Sequence, residues 1–269
     1  MNDTSRLTRS FINATFMFIL TFMALHINNQ LLTAFIAKDF ELQPTLFFSE
    51  VTFFPGIMSS GLTQDARIAM VMAVPAVSLM LALAGQIIYL LAHSRQAWLA
   101  CFFLWWMIHG YNQFFGLFLM SPFMGSNHHI ITGLLALSFP IKLLLATSAF
   151  FLMYKIGDNI SNAILAKTGS FSAANQKYRI KHLFVSILLP WILSSTMFWV
   201  VAQEGTPLFK FQFLTLSVML LPAVIRTLKA SLAETGRQKL TNKIPWTMIG
   251  LTIIITAGYF WLTKEGFKV

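Results

Sequence analysis

The sequence predicts an all-α integral membrane protein of about seven transmembrane helices with its N-terminus in the cytoplasm. Three observations predict it. First, 57% of the 269 residues are hydrophobic and only 10% are charged, with a mean hydropathy of +0.69. Soluble domains carry about 25% charged residues, so most of this surface is built to face lipid. Second, seven apolar stretches approach the roughly 20 residues needed to cross a bilayer. Third, the basic residues are distributed unevenly between the loops that join them.

In chain order the stretches are 11–36, 68–92, 97–121, 129–154, 182–203, 211–226 and 245–263. The first follows Arg6 and Arg9 as a signal peptide would, but it is too long and lacks a small-residue cleavage site, so it reads as a retained helix. The sixth is the shortest. With the N-terminus inside, 13 Lys and Arg fall on the cytoplasmic side and five on the other: Lys38, Arg67, Lys210, Lys264 and Lys268. That is the positive-inside bias, and it opposes a receptor-type topology with an outer N-terminus. The formal charge of +10 is therefore a topology signal, and nucleic acid is excluded as a partner. The lone Cys101 allows no internal disulfide.

Three segments lie between the spans. The outer loop 37–67 is rich in Phe, and its centre, Thr45 to Phe54, predicts a short β-hairpin or edge strand at the interface. Residues 156–181 predict a polar inner loop. Residues 227–244 predict a basic inner loop, followed by Pro245 in the first turn of the last helix, with Trp246 and Trp261 near its two ends.

Polar residues inside a bilayer are costly, which makes them informative. The first and third helices carry the same pattern, H-x-x-N-Q: His26-Ile27-Asn28-Asn29-Gln30 and His109-Gly110-Tyr111-Asn112-Gln113. Spacings of three and four set each His, Asn and Gln on one helix face. Both helices run inside to outside, so equal offsets place the two histidines at one depth near mid-membrane. Lys142, 13 residues into the fourth stretch, is expected about 20 Å down at the same level, with a kink at Pro140. The resulting expectation is one shared polar ligand site: His26, Asn29, Gln30, His109, Asn112, Gln113 and Lys142, with His26 and His109 as the candidate metal ligands. The bland alternative is that the same residues hydrogen-bond between helices, at about 0.6 kcal/mol each. His93, His128, His129 and His182 fall at helix ends, where a structural role is expected.

The first helix with its motif, and the strand-like segment after it, resemble the opening of a site-2 protease, an intramembrane zinc metalloprotease. That family places H-E-x-x-H on a membrane helix, two His binding zinc and Glu acting as general base. The resemblance covers about the first half of the chain and implies site residues at His26, His109 and Asn112. The sequence departs from it at Ile27, where the base should stand, and at Gln30, where the second His should stand. The implied relative is a diverged, non-proteolytic one.

Four function classes follow. The first is a binding protein in a bacterial inner membrane that takes a small polar ligand or another protein's transmembrane segment. The second is a transporter or channel using Lys142. The third is a redox protein with haem held between two histidines. The fourth is a structural subunit of a membrane complex. Zinc and haem are the two cofactors to be weighed.

Overall fold

A computed structural model describes residues 3–56, 61–92, 97–124, 131–174, 176–202, 207–229 and 246–269. His93, His128, His129 and most of the basic loop at 227–244 lie outside the described residues.

The chain is an antiparallel helix bundle with a small sheet at one end. Helix α1 runs Asp3–Asp39 and is followed by strands β1 (Gln43–Leu46) and β2 (Val51–Phe54). Helices α2 (Gln64–Ala92) and α3 (Ala97–Met120) come next, then a short α4 (Ile131–Leu134) and the long α5 (Phe139–Ala174). The remainder is α6 (Gln176–Leu183), a π-helical turn at Phe184–Leu188, α7 (Leu189–Val201), α8 (Pro207–Thr215), α9 (Ser217–Lys229), α10 (Trp246–Thr263) and β3 (Phe267–Lys268).

Among the described residues, six helical segments are long and apolar enough to cross a membrane: Leu7–Asp39, Gln64–Leu91, Phe139–Ile164, Gln176–Val201, Phe209–Lys229 and Trp246–Thr263. Their outer faces carry large exposed apolar side chains such as Leu91, Phe151, Ile254 and Trp261, a surface suited to lipid. This is an integral membrane protein. The seventh long helix, α3, has 24 residues, and its polar run from His109 to Gln113 lowers its hydropathy. It is the innermost helix, packed against α1, α2, α5 and α8.

Small residues permit the tightest crossings, as expected where helix association rests on close packing. A Cβ on Gly110 would meet the Ser78 carbonyl of α2 at 2.9 Å. A Cβ on Gly157 would fall 2.1 Å from the Met219 carbonyl, so the α5–α9 contact requires glycine there.

Two expected boundaries are corrected. The fourth long helix begins at Phe139 rather than at 129, which puts Pro140 in its first turn, where a missing N–H costs nothing and the fixed φ suits a helix. Pro140 therefore starts the helix and does not kink it. The expected inner loop at 156–181 is helical, α5 continuing to Ala174 and α6 opening at Gln176. Gly157, Ile160, Ser161 and Ile164 form a buried stripe at helical spacing, and α9 packs on α5. Arg179, expected in that loop, is buried and donates to the Thr227 carbonyl in the last turn of α9 at 3.3 Å, where a cation suits a helix C-terminus.

The π turn has a local cause. Pro190 offers no N–H and its ring would crowd the carbonyl four residues back. The Leu189 N–H reaches the Phe184 carbonyl instead, and Ser186 Oγ donates to the His182 carbonyl at 2.5 Å.

The sheet has strand order β2-β1-β3, both pairings antiparallel, with Thr45 opposite Thr52 on one side and Lys268 on the other. β1 is the central strand. Among the described residues, β2 keeps one edge unpaired by any strand.

Candidate functional site

The residues of the first motif are turned toward the tip of the β1–β2 connection. His26 Nε2 lies 2.6 Å from the carbonyl oxygen of Phe48, and Gln30 Nε2 lies 3.1 Å from the same oxygen. A carbonyl only accepts, so His26 carries its proton on Nε2 and both nitrogens donate to Phe48. The 2.9 Å approach of Gln30 Nε2 to His26 Nε2 is then two donors converging on one acceptor. Gln30 Oε1 in turn accepts from the Tyr259 hydroxyl of α10 at 2.5 Å. Non-helical backbone is tolerated inside an apolar bundle where its polar groups are met in this way.

The Phe48 ring enters the bundle with its carbonyl. It sits edge-on to Phe260 at 5.7 Å between centroids, with Phe198, Phe209 and Tyr259 also around it. Phe22 joins this cluster to the core, with Phe198 at 4.4 Å and Phe213 at 4.9 Å. Helices α1, α7, α8 and α10 thus close on the hairpin tip through aromatic contacts, each worth about 0.5–1.5 kcal/mol beyond its buried area.

The second halves of the two motifs meet each other. Asn29 Nδ2 donates to Gln113 Oε1 at 2.7 Å, and Ser78 Oγ of α2 donates to the same oxygen at 3.0 Å. Asn29 Nδ2 also reaches Ser78 Oγ at 3.0 Å, so α1, α2 and α3 are joined at one point. Asn112 faces elsewhere. Its Nδ2 donates to the Gln212 carbonyl at 2.6 Å, and its Oδ1 accepts from Thr215 Oγ1 at 2.7 Å. These bonds fall where the helix is interrupted between α8 and α9, so the α3 amide meets a carbonyl at the break.

His109 is enclosed by Phe18 (4.4 Å), Phe22 (5.6 Å) and Trp105 (6.1 Å). It hydrogen-bonds the Phe18 backbone. Its Nε2 and the nearby Trp105 Nε1 are buried without a partner among the described residues. The cleft beside it, lined by Asn112, Gln113 and Gln212, leaves no room for a water molecule.

The expected shared site is therefore divided. The histidines do not converge: Phe22 stacks on His26 at 5.5 Å and meets the edge of His109 at 5.6 Å, serving as neighbour to both rings. Lys142 lies in the first turn of α5, its N–H bonded to the Ser138 carbonyl at 3.0 Å. The later helix start puts it three residues from that helix end, whereas His109 is 11 residues from the end of α3 on the same side. At 1.5 Å per residue the difference in height is about 12 Å, which takes Lys142 out of the cluster.

This donor set does not fit zinc. The His26 nitrogen nearest the cluster centre presents a proton to a carbonyl, the rings lie against different neighbours, and among the described residues no three His, Cys, Asp or Glu side chains group together. A haem does not fit either, because phenylalanines fill the space against both rings.

Ser78, Gln212, Thr215 and Tyr259 complete the polar network and were not anticipated. Ser78, the lone serine of a long apolar helix, is the one with a sequence signal. Comparison with family models, with curated proteins and with solved structures finds no match to this chain.

Proposed function

We propose that this chain is a non-proteolytic, site-2-protease-like binding protein of a bacterial inner membrane, with its N-terminus inside, seven spans and the sheet on the outer face. In this reading the motif residues hold the hairpin and the bundle together, and the partner is engaged by the sheet. The observation that carries it is the Phe48 carbonyl, gripped by His26 and Gln30, which anchors the tip of the β1–β2 hairpin inside the bundle. An anchored hairpin presents β2 as a rigid edge, in which Thr52 and Phe54 are exposed. A free edge recognises an extended segment through main-chain hydrogen bonds, and alternate side chains supply selectivity. The segment that suits it is the membrane-flanking stretch of another membrane protein.

Hydrolysis has no support in this site. Ile27 stands where the general base would be, and His26, Gln30, Asn29, Asn112 and Gln113 are bonded to internal partners. The transporter reading relies on Lys142, which is buried in the first turn of α5 and in this reading stands apart from the motif residues.

The test is photo-crosslinking in intact cells from a benzoylphenylalanine placed at Thr52, compared with one at the lipid-facing Ile254. A discrete adduct from Thr52 that disappears with Phe53→Pro, which removes a strand N–H, supports the reading. The same adduct from both positions rejects edge recognition.

A further inference from the structure

Helices α2 and α5 both pack on α3, and between them lies a groove of about 350 Å³ that none of the motif His, Asn or Gln side chains lines. Its floor is Met107 and Tyr111 of α3, and its walls include Gln86 of α2 and Asn159, Asn162 and Ala163 of α5. Among the described residues no charged side chain lines it. The Tyr111 hydroxyl donates to Gln86 Oε1, which leaves the Gln86 amide nitrogen as a donor, beside the exposed amides of Asn159 and Asn162. Tyr89 donates to the Ala163 carbonyl at 3.4 Å and ties α2 to α5 at one end.

The level of the groove follows from its neighbours. Asp158 pairs with Lys155 at 3.6 Å and with Arg226 at 2.5 Å, one position from Asn159, and such ionised groups belong at the boundary of the hydrocarbon layer. The same level lies near the end of α2, on the side where α3 begins. Leu90 at the rim of the groove, with Ile87 of α2 and Leu152 of α5 beyond it, is part of an apolar flank in which all three are half or more exposed.

We infer that this groove binds an uncharged lipid whose head carries carbonyl or hydroxyl oxygens, a chemistry shared by diacylglycerols and isoprenoid quinones. Amide donors match such oxygens at the depth where lipid esters lie, and the flank accepts the hydrocarbon tails. An anionic head would lose hydration in a groove whose described lining holds no cation, since Lys155 and Arg226 are turned to Asp158. The volume holds a head group rather than a whole lipid.

The experiment is native mass spectrometry of the purified full chain, delipidated and then offered dioleoylglycerol, ubiquinone or phosphatidylglycerol in separate arms. Retention of dioleoylglycerol or ubiquinone over phosphatidylglycerol is expected, and the retained species identifies the source. Ala163→Phe fills the groove while keeping the backbone carbonyl that Tyr89 uses, and retention should fall on the order of tenfold. Should that variant fail to fold, the exposed pair Asn159→Leu and Asn162→Leu replaces it, with a loss of several-fold expected. Equal retention of phosphatidylglycerol, or neutral-lipid retention unchanged in the folded variants, overturns the inference.

Discussion

Asn29 donates its side-chain amide to Gln113 across 2.7 Å, so the Asn of one H-x-x-N-Q pattern finds the Gln of the other while their histidines do not meet. Two helices carrying one polar pattern are locked in register by a single interhelical bond, with Ser78 as the third participant. Similarity between the motifs reflects this junction of α1, α2 and α3, and their other members serve separate ends.

This junction predicts strong coupling. Asn29→Leu and Gln113→Leu should each destabilise the bundle by about 1–3 kcal/mol, because each leaves a buried polar partner unmet. The double variant should cost less than the sum of the two. A double-mutant cycle of unfolding in detergent checks this, and strict additivity would refute the junction.

The hairpin anchor predicts a local effect. His26→Ala removes a donor from the Phe48 carbonyl, and amide exchange across residues 43–54 should rise. His109→Ala should leave exchange in that segment unchanged, since its ring contacts Phe18, Phe22 and Trp105 instead. Equal effects from both histidines would restore the single shared site.

The α5–α9 crossing predicts a position-specific penalty. Gly157→Ala forces a methyl group to within 2.1 Å of the Met219 carbonyl, so the helices must separate and the protein should lose stability by about 1–3 kcal/mol. Gly250→Ala and Gly258→Ala meet nothing within 4 Å and should be neutral or slightly stabilising. Thermal unfolding of the three variants side by side provides the comparison.

Lys142 is expected to act independently of the motif residues. Lys142→Leu combined with Asn29→Leu should give additive stability changes, because the two lie at different heights in the bundle. A coupling energy above about 0.5 kcal/mol would bring Lys142 back to the cluster.

Much of the architecture was legible in the residues. Runs of apolar side chains mark six of the membrane-crossing segments directly, and the strand-like composition of Thr45 to Phe54 falls on the segment where β1 and β2 pair. The helix through 156–174 was hidden because Lys155, Asp158, Asn159 and Asn162 on its open face mask the buried stripe of Gly157, Ile160, Ser161 and Ile164. The polar residues of the motifs were recognisable, but their partners were not. Two of those partners are backbone carbonyls, Phe48 and Gln212, the latter 100 positions from Asn112, and a carbonyl has no signature in a sequence. Lys142 was misplaced by one boundary, since the depth of a side chain is only as sound as the helix start from which it is counted.

The bond between Tyr259 and Gln30 joins residues separated by 229 positions. During synthesis, α1 enters the bilayer long before α10 exists, and the Gln30 amide must reside there without its eventual hydroxyl. His26, one turn earlier on the same helix, is committed to the Phe48 carbonyl and does not replace that hydroxyl. Assembly of the sheet end of this bundle thus waits on α10, and a ribosome stalled before that point would leave α1 holding an amide still in need of company.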